Sequence, residues 1–309
     1  MSSPAHDSGP GAAAESAPAA RTEAAAQAAP ESVAVIGGGR MGAGIAQSFA
    51  AVGSRVTVVE SGAEAAAAAL ERVARGLARA AERGKLTESA DAVLARVGTV
   101  ASVQELPAGI RLVVEAVSED AALKARLLAA AEQAVDEDTV LATNTSSLSV
   151  TELGTVLRHP GRFLGMHFFN PVPASTLVEL IVAPGTSDTT LKSALAWTHA
   201  LGKTDVVVKD SPGFASSRLG LALGLEAIRM VEEGVAEPAA IDAAMSLGYK
   251  HPMGPLRLTD LVGLDVRLAI AEHLHATLGE RFAPPALLRE KVARGELGRK
   301  SGKGFYTWD

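Results

Sequence analysis

The chain has 309 residues, 48% hydrophobic and 21% charged, enough apolar material for two domains with cores of their own. Its 29 basic and 35 acidic residues leave a net charge of −6 at pH 7, which offers no cationic footprint for nucleic acid, so any phosphate has to be held locally. Cysteine is absent, which excludes disulfides, thiolate nucleophiles and thiolate metal sites and suits a reducing, cytoplasmic setting, and no apolar run reaches the roughly 18 residues of a membrane span.

Residues 1–31 are mostly Ala, Ser, Pro and Glu, a composition expected to stay disordered, and Asp7, Glu15 and Glu23 argue against a transit peptide. From Ser32 the pattern changes to Val33-Ala34-Val35-Ile36, then glycines, then apolar residues at Ile45, Phe49 and Val52, which reads as strand, tight turn, helix. Gly53 falls where a helix-ending glycine belongs, and Arg55 to Glu60 form a second β-branched strand, completing a βαβ unit. The Ala/Glu/Arg-rich stretch Glu64 to Glu82 predicts a long helix. Further strands are predicted at Leu112 to Val117, Val140 to Thr143, Phe163 to His167, Leu177 to Val182 and Asp205 to Val208, with a helix over Leu123 to Val135.

Beyond Asp210 the strand signals stop, and Phe214 to Glu233, Ala239 to Leu247, Leu256 to Leu278 and Pro285 to Arg294 read as helices. The predicted fold is therefore α/β: a Rossmann-type dinucleotide-binding domain over 32–210 followed by an all-α domain over 211–309. The segment Leu219 to Ile228 is apolar nearly all round, which demands burial on more than one side, either within its own domain or in the interface of a homodimer formed through the helical domain.

Gly37-Gly38-Gly39-Arg40-Met41-Gly42 fits G-x-G-x-x-G directly after a strand and at the opening of a helix, where backbone amides and the helix dipole attract a pyrophosphate. Glu60 ends the second strand 23 positions after Gly37, where an acid accepts from both ribose hydroxyls and repels a 2′-phosphate, so NAD is expected rather than NADP. Arg40 either neutralises pyrophosphate or faces water.

Gly165-Met166-His167-Phe168-Phe169-Asn170-Pro171 ends one strand in a Pro-rich turn, and Leu177-Val178-Glu179-Leu180 begins the next, a return that places His167 beside Glu179. An imidazole suits removal of a hydroxyl proton, and a carboxylate orients it and stabilises the cation formed; Glu179 inside an apolar strand needs such a partner. Asn144-Thr145-Ser146-Ser147 follows another strand at the sheet's carboxyl edge, where the Ser146 hydroxyl is the candidate ligand for a substrate oxygen and Ser147 or Ser149 a helix cap. The remaining histidines do not assemble a metal site, and none is expected.

Together GGGRMGAGIAQ, VVEAVSED, NTSSLSVTEL, GMHFFNPVP with LVELI, DSPGF, HPMGPLRLTDLVGLD and GRKSGKGFY resemble the L-3-hydroxyacyl-CoA dehydrogenases, of 3-hydroxybutyryl-CoA dehydrogenase-like type. The resemblance runs from about Val33 to Tyr306. It implies NAD-dependent oxidation of an (S)-3-hydroxyacyl-CoA in fatty-acid metabolism, with His167 as general base, Glu179 its partner and Ser146 on the C3 oxygen, close to the cofactor. It further implies Glu119, Lys124 and Lys300 near the cofactor, Asn170 on the substrate side, and Arg83 or Lys85 where CoA phosphate is held. Read without the resemblance, Glu119 and Lys124 are an ordinary helical charge pair and Lys300 part of a solvated basic tail. Two positions depart from the family pattern: Ser217 stands where an asparagine that bonds substrate and histidine is usual, and Thr176 replaces a lysine ahead of LVE. The rival expectations are a dehydrogenase of a non-CoA 3-hydroxy acid or carnitine-like alcohol, and a non-catalytic, crystallin-like NAD-binding protein.

Overall fold

In the computed structural model, which describes residues 28–309, strands and helices alternate as far as Lys209 and the chain is helical beyond it. The tail expected over 1–31 falls almost wholly outside the described residues. The first half comprises β1 (Ser32–Ile36), α1 (Arg40–Ala51), β2 (Arg55–Val59), α2 (Ala63–Glu82), α3 (Ala90–Leu94), β3 (Val97–Val100), β4 (Leu112–Glu115), α4 (Ala121–Ala134) and β5 (Val140–Thr143). There follow α5 (Val150–Gly154), β6 (Phe163–Phe168), β7 (Leu177–Val182), α6 (Asp188–Ala200) and β8 (Thr204–Lys209).

The eight strands form one sheet in the order β3-β2-β1-β4-β5-β6-β7-β8. Strands β3 to β6 pair in parallel, β7 runs antiparallel to β6, and β8 runs parallel to β7. The chain order reverses at β1, and in such sheets the crevice at the carboxyl ends of the strands on either side is where ligands sit. Successive side chains of β1 go to opposite faces: Val33 and Val35 join Ile45 and Phe49 in one core, while Ala34 and Ile36 join Leu128 and Leu141 in another. That two-sided burial explains why the strand reads as a continuous apolar run. On α2 only Ala69, Val73 and Leu77, four residues apart, are buried, which leaves its arginines on the outer faces.

The helical domain comprises α7 (Ser216–Glu232), α8 (Pro238–Ala243), α9 (Pro255–Val262), α10 (Leu264–Leu278) and α11 (Ala286–Ala293) around Leu221, Leu225, Ile228, Leu256, Leu264 and Leu274. Three expectations are corrected here. The single helix expected over Leu256 to Leu278 breaks at Gly263, whose φ of 106° no α-helix accommodates. The helix expected from Phe214 begins at Ser216, because Phe214 itself has φ 48°. The helix expected over Ala239 to Leu247 loosens into a π-turn at Ala244–Gly248. Strand β3 and helices α3 and α6 lie outside the expected elements: β3 is only four residues long and its sequence, VGTV, contains a glycine, whereas α6 buries Thr190, Ala194, Trp197 and Thr198 at helical spacing. The chain end is fastened to this domain by the buried Asp260, which accepts from the Phe305 and Tyr306 amides (both 2.9 Å) and Trp308 Nε1 (2.8 Å).

Candidate active site

The glycine turn between β1 and α1 has the geometry a dinucleotide requires. Gly37 has φ 96°, and a Cβ there would stand 3.0 Å from the Ala116 carbonyl oxygen; a Cβ on Gly42 would stand 1.7 Å from the Gly37 oxygen. Nothing lies within 4 Å of the corresponding point on Gly39, so the turn's outer side is open. The amides of Arg40, Met41 and Gly42 precede the Ala43-to-Gly39 bond (2.9 Å) that starts α1, which makes them the unpaired donors of a helix N-terminus. Glu60 Oε1 accepts from the Gly38 amide at 2.6 Å, so the acid that closes β2 grips the turn itself. Arg40 is exposed, and Met41 packs on the sheet core. These residues fit NAD.

The antiparallel register of β6 and β7 sets His167 directly opposite Glu179. Nδ1 of His167 lies 2.8 Å from Glu179 Oε2, and both side chains are buried. Glu179 also accepts from the Ala215 and Ser216 amides (3.1 and 2.7 Å) and the Ser216 hydroxyl (2.7 Å). Burial pushes this carboxyl up, but hydrogen bonds from His167 and Ser216 outweigh it and hold Glu179 below the usual carboxylate range. An ionised Glu179 only accepts, so Nδ1 carries the proton and Nε2 is left as the basic nitrogen. The imidazole is flanked by Phe169 (ring centroids 4.3 Å apart) and Phe214 (5.9 Å).

The Ser-Pro-Gly-Phe turn delivers those donors. Gly213 (φ 75°) and Phe214 (φ 48°) are both left-handed, which swings the start of α7 towards Glu179. A left-handed phenylalanine costs on the order of 1–3 kcal/mol and persists where surroundings enforce it. Ser217, the residue expected to bond substrate and histidine, makes no hydrogen bond to the dyad; its neighbour Ser216 does. Helical geometry separates adjacent residues by about 100°, so only one of the two serines can face β7.

A second acid organises the loop after β5. Glu119 Oε1 accepts from the Thr145 hydroxyl (2.6 Å), the Ser146 and Ser147 amides (2.9 and 3.1 Å) and, at 3.3 and 3.0 Å, their hydroxyls. Burial raises the Glu119 carboxyl, but these bonds and the Lys124 charge bring it below its ordinary value. Asn144 Oδ1 accepts from the Phe168 amide (2.8 Å) and so ties the Ser146 loop to the strand carrying His167. Of the two cap candidates it is Ser149 that caps α5, accepting from the Glu152 amide. Lys124 is no surface partner of Glu119: it is 1% exposed, bonded to Glu115 Oε1 at 2.8 Å, with Glu119 Oε2 at 3.3 Å. Glu115 was missed, although an acid inside the apolar run LVVEAV carries the same signal that marked Glu179. Lys124→Met strands the fully buried Glu115 carboxylate, and urea unfolding should show a loss of about 3–5 kcal/mol; a change under about 1 kcal/mol would contradict the pairing.

A cleft of about 1170 Å³ is walled by α1, α2 and the Pro-rich turn that follows the strand carrying His167. Arg40, Arg72, Arg75, Arg79, Arg83 and Lys85 line it, a local cationic wall on an acidic chain. Asn170, three residues after His167, and Thr176 line the opposite side. Arg72 Nη1 donates to the Gly38 carbonyl at 3.1 Å and so links α2 to the glycine turn. Lys203 donates to the Val172 carbonyl (2.7 Å) and fixes the turn from below. Lys300, which the resemblance implies near the cofactor, pairs with Asp265 in the helical domain (2.5 Å). Among the described residues no cluster of three or more His, Asp or Glu is arranged to hold a metal ion, and no helix is long and apolar enough to cross a membrane.

A sheet that reverses at β1, a glycine turn feeding a helix N-terminus, and an acid closing β2 define an NAD-binding dehydrogenase fold joined to a helical domain. The model of the 3-hydroxyacyl-CoA dehydrogenase NAD binding domain matches residues 32–211, and that of the same family's C-terminal domain matches residues 213–308. The chain belongs to the 3-hydroxyacyl-CoA dehydrogenase family. It is 44% identical over 281 residues to a probable 3-hydroxybutyryl-CoA dehydrogenase of Bacillus subtilis, covering 90% of this chain and 98% of that one. It is 38% identical to the mitochondrial hydroxyacyl-coenzyme A dehydrogenase of Sus scrofa, covering 89% and 90%. Among solved structures, the (S)-3-hydroxybutyryl-CoA dehydrogenase of Ralstonia eutropha superposes with a TM-score of 0.86 at 41% identity, over 91% of this chain and all of that one.

Proposed function

We propose that the chain catalyses the reversible oxidation of (S)-3-hydroxyacyl-CoA esters to 3-oxoacyl-CoA, with NAD as the redox partner. The observation that carries this reading is the buried His167–Glu179 dyad, 2.8 Å apart, whose strand runs on into the Pro-rich turn lining a cationic cleft. Bound at the glycine turn, NAD+ supplies the hydride acceptor for C3. His167 Nε2 takes the C3 hydroxyl proton, and Glu179 holds the Nδ1 proton and stabilises the imidazolium. The Ser146 hydroxyl gives up its long contact with Glu119 (3.3 Å) and donates to the C3 oxygen, while the Ser146 and Ser147 amides keep the loop on Glu119; in the reductive direction the protonated His167 returns the proton. Ser216 and the α7 amides keep Glu179 ionised through the cycle, and Glu60 disfavours a 2′-phosphate. Asn170 and the arginines of the cleft, Arg83 foremost, meet the CoA moiety, whose phosphates need cations that the net charge does not provide.

The reading is tested by following NADH consumption with acetoacetyl-CoA and with free acetoacetate, each repeated with NADPH. Efficient turnover is expected only with acetoacetyl-CoA and NADH; comparable use of the free acid overturns the CoA assignment, and NADH binding without turnover of any chain length overturns the catalytic one. We also propose a homodimer through the helical domain, on the grounds that Leu219, Leu247 and Tyr249 are 70, 73 and 75% exposed there. Light scattering should then give twice the chain mass, and a monomer refutes it. A reducing compartment such as the cytoplasm suits a redox enzyme without cysteine.

A further inference from the structure

Gln47 stands midway along α1 in the wall of the cleft. It is 6% exposed, yet its amide takes part in none of the side-chain hydrogen bonds among the described residues, and what remains accessible of it faces the cleft. The amide is not one of the buried polar atoms left without a partner, so solvent in the cleft meets it, and a ligand entering there would replace that water. The neighbouring helix is shaped for this group. A Cβ on Gly76 of α2 would stand 2.1 Å from Gln47 Oε1 and 2.9 Å from its Cδ, so the missing side chain at 76 is what admits the amide between the helices. On the other flank Gly44 lets Val172 of the Pro-rich turn approach, with a built Cβ at 2.9 Å.

The wall from Arg40 to Ala51 spans about 16 Å at 1.5 Å per residue, and Gln47 lies inside that span, away from both its ends. Charged phosphates are matched by the arginines on α2, and an acyl chain offers nothing to hydrogen-bond. A carboxamide with one acceptor and two donors is complementary to another neutral amide. On the CoA reading, which this inference rests on, the part of the substrate between the thioester and the phosphates carries two secondary amides.

We infer that Gln47 hydrogen-bonds an amide of the substrate's pantetheine arm and thereby selects pantetheine thioesters over other thioesters. Three substrates separate the contributions: acetoacetyl-CoA, acetoacetyl-pantetheine, which lacks the nucleotide phosphates, and S-ethyl acetothioacetate, which lacks the amides as well. Gln47→Met should raise KM about five- to tenfold for the first two, with kcat within about twofold, while KM for S-ethyl acetothioacetate and for NADH stays unchanged. Gly76→Ala reaches the same amide from the other side: the added methyl displaces only the flexible end of Gln47, so the KM pattern should recur with Tm retained. In the double variant the two effects should not add. A KM unaffected by Gln47→Met, or raised equally for all three thioesters, overturns the assignment and leaves the CoA reading standing. A wild-type enzyme that uses the three thioesters with equal kcat/KM overturns the CoA reading, and Gln47 with it.

Discussion

Replacing His167 by glutamine is expected to lower kcat by about 10²–10⁴-fold, the usual contribution of a positioned general base. Glutamine approximates the length of the imidazole and retains a group able to meet Glu179, but it cannot take up a proton as Nε2 of the imidazole does. The glycine turn and Glu60 lie on β1, α1 and β2, away from β6, so the Kd for NADH, read by fluorescence titration, should stay within about twofold of wild type. The ring is packed between Phe169 and Phe214, so Tm should be checked alongside. A variant that folds, binds NADH and turns over at the wild-type rate would falsify the proton-transfer role.

Glu179→Gln should be nearly as damaging for a different reason. The carboxylate accepts from four donors: two amides of the α7 start, the Ser216 hydroxyl and His167 Nδ1. A carboxamide has a single oxygen and turns an NH₂ towards one side of that set, so either His167 or the α7 amides meet a donor. If His167 takes the other tautomer in response, Nε2 no longer accepts, and kcat should fall by about 10²–10⁴-fold, the scale known for losing the orienting acid of a triad. The pH dependence has a definite sign. Because Glu179 is held below the ordinary carboxylate value of about 4.3, its ionised form stabilises the fold at neutral pH, and that contribution is lost as pH falls through the depressed folded value. The Tm gap between wild type and Glu179→Gln should therefore be widest near pH 7 and shrink on acidification. A gap that widens as pH falls would show that Glu179 is not held ionised.

Much of this was legible without coordinates because local signals and global fold agree. The glycines at 37 to 42 combine with an acid at the end of the next strand, and each alone would be weak; the structure joins them physically, Glu60 gripping the Gly38 amide at 2.6 Å. His167 and Glu179 were legible as a pair because a Pro-rich turn between two short strands leaves few ways for them to lie other than side by side, and the register does set them opposite. Seven ordered motif blocks made the family recognisable from Val33 to Tyr306.

Other features were out of reach because they depend on which surfaces meet. Glu119 and Lys124 have the spacing of a helical pair, but Asp120 caps α4 and leaves Glu119 outside the helix, so Lys124 turns inward to Glu115. Ser216 rather than Ser217 faces Glu179 because two left-handed residues reset the phase of α7, an offset that sequence alignment by residue type cannot register. The break at Gly263 follows the same logic: glycine within a helical pattern is ordinary in sequence, and only the docking of α9 and α10 in the helical core demands its positive φ. What the sequence by itself determined is therefore the periodic and the local: the βαβ unit, the glycine turn with an acid at the end of the next strand, and the residue types able to move a proton. Tertiary structure alone decided that the buried Lys124 answers Glu115, which serine reaches the dyad, and that Gln47 and Gly76 share one wall of a cleft. Burial and partner choice arise from long-range packing, and a single chain read residue by residue does not encode them at any fixed spacing.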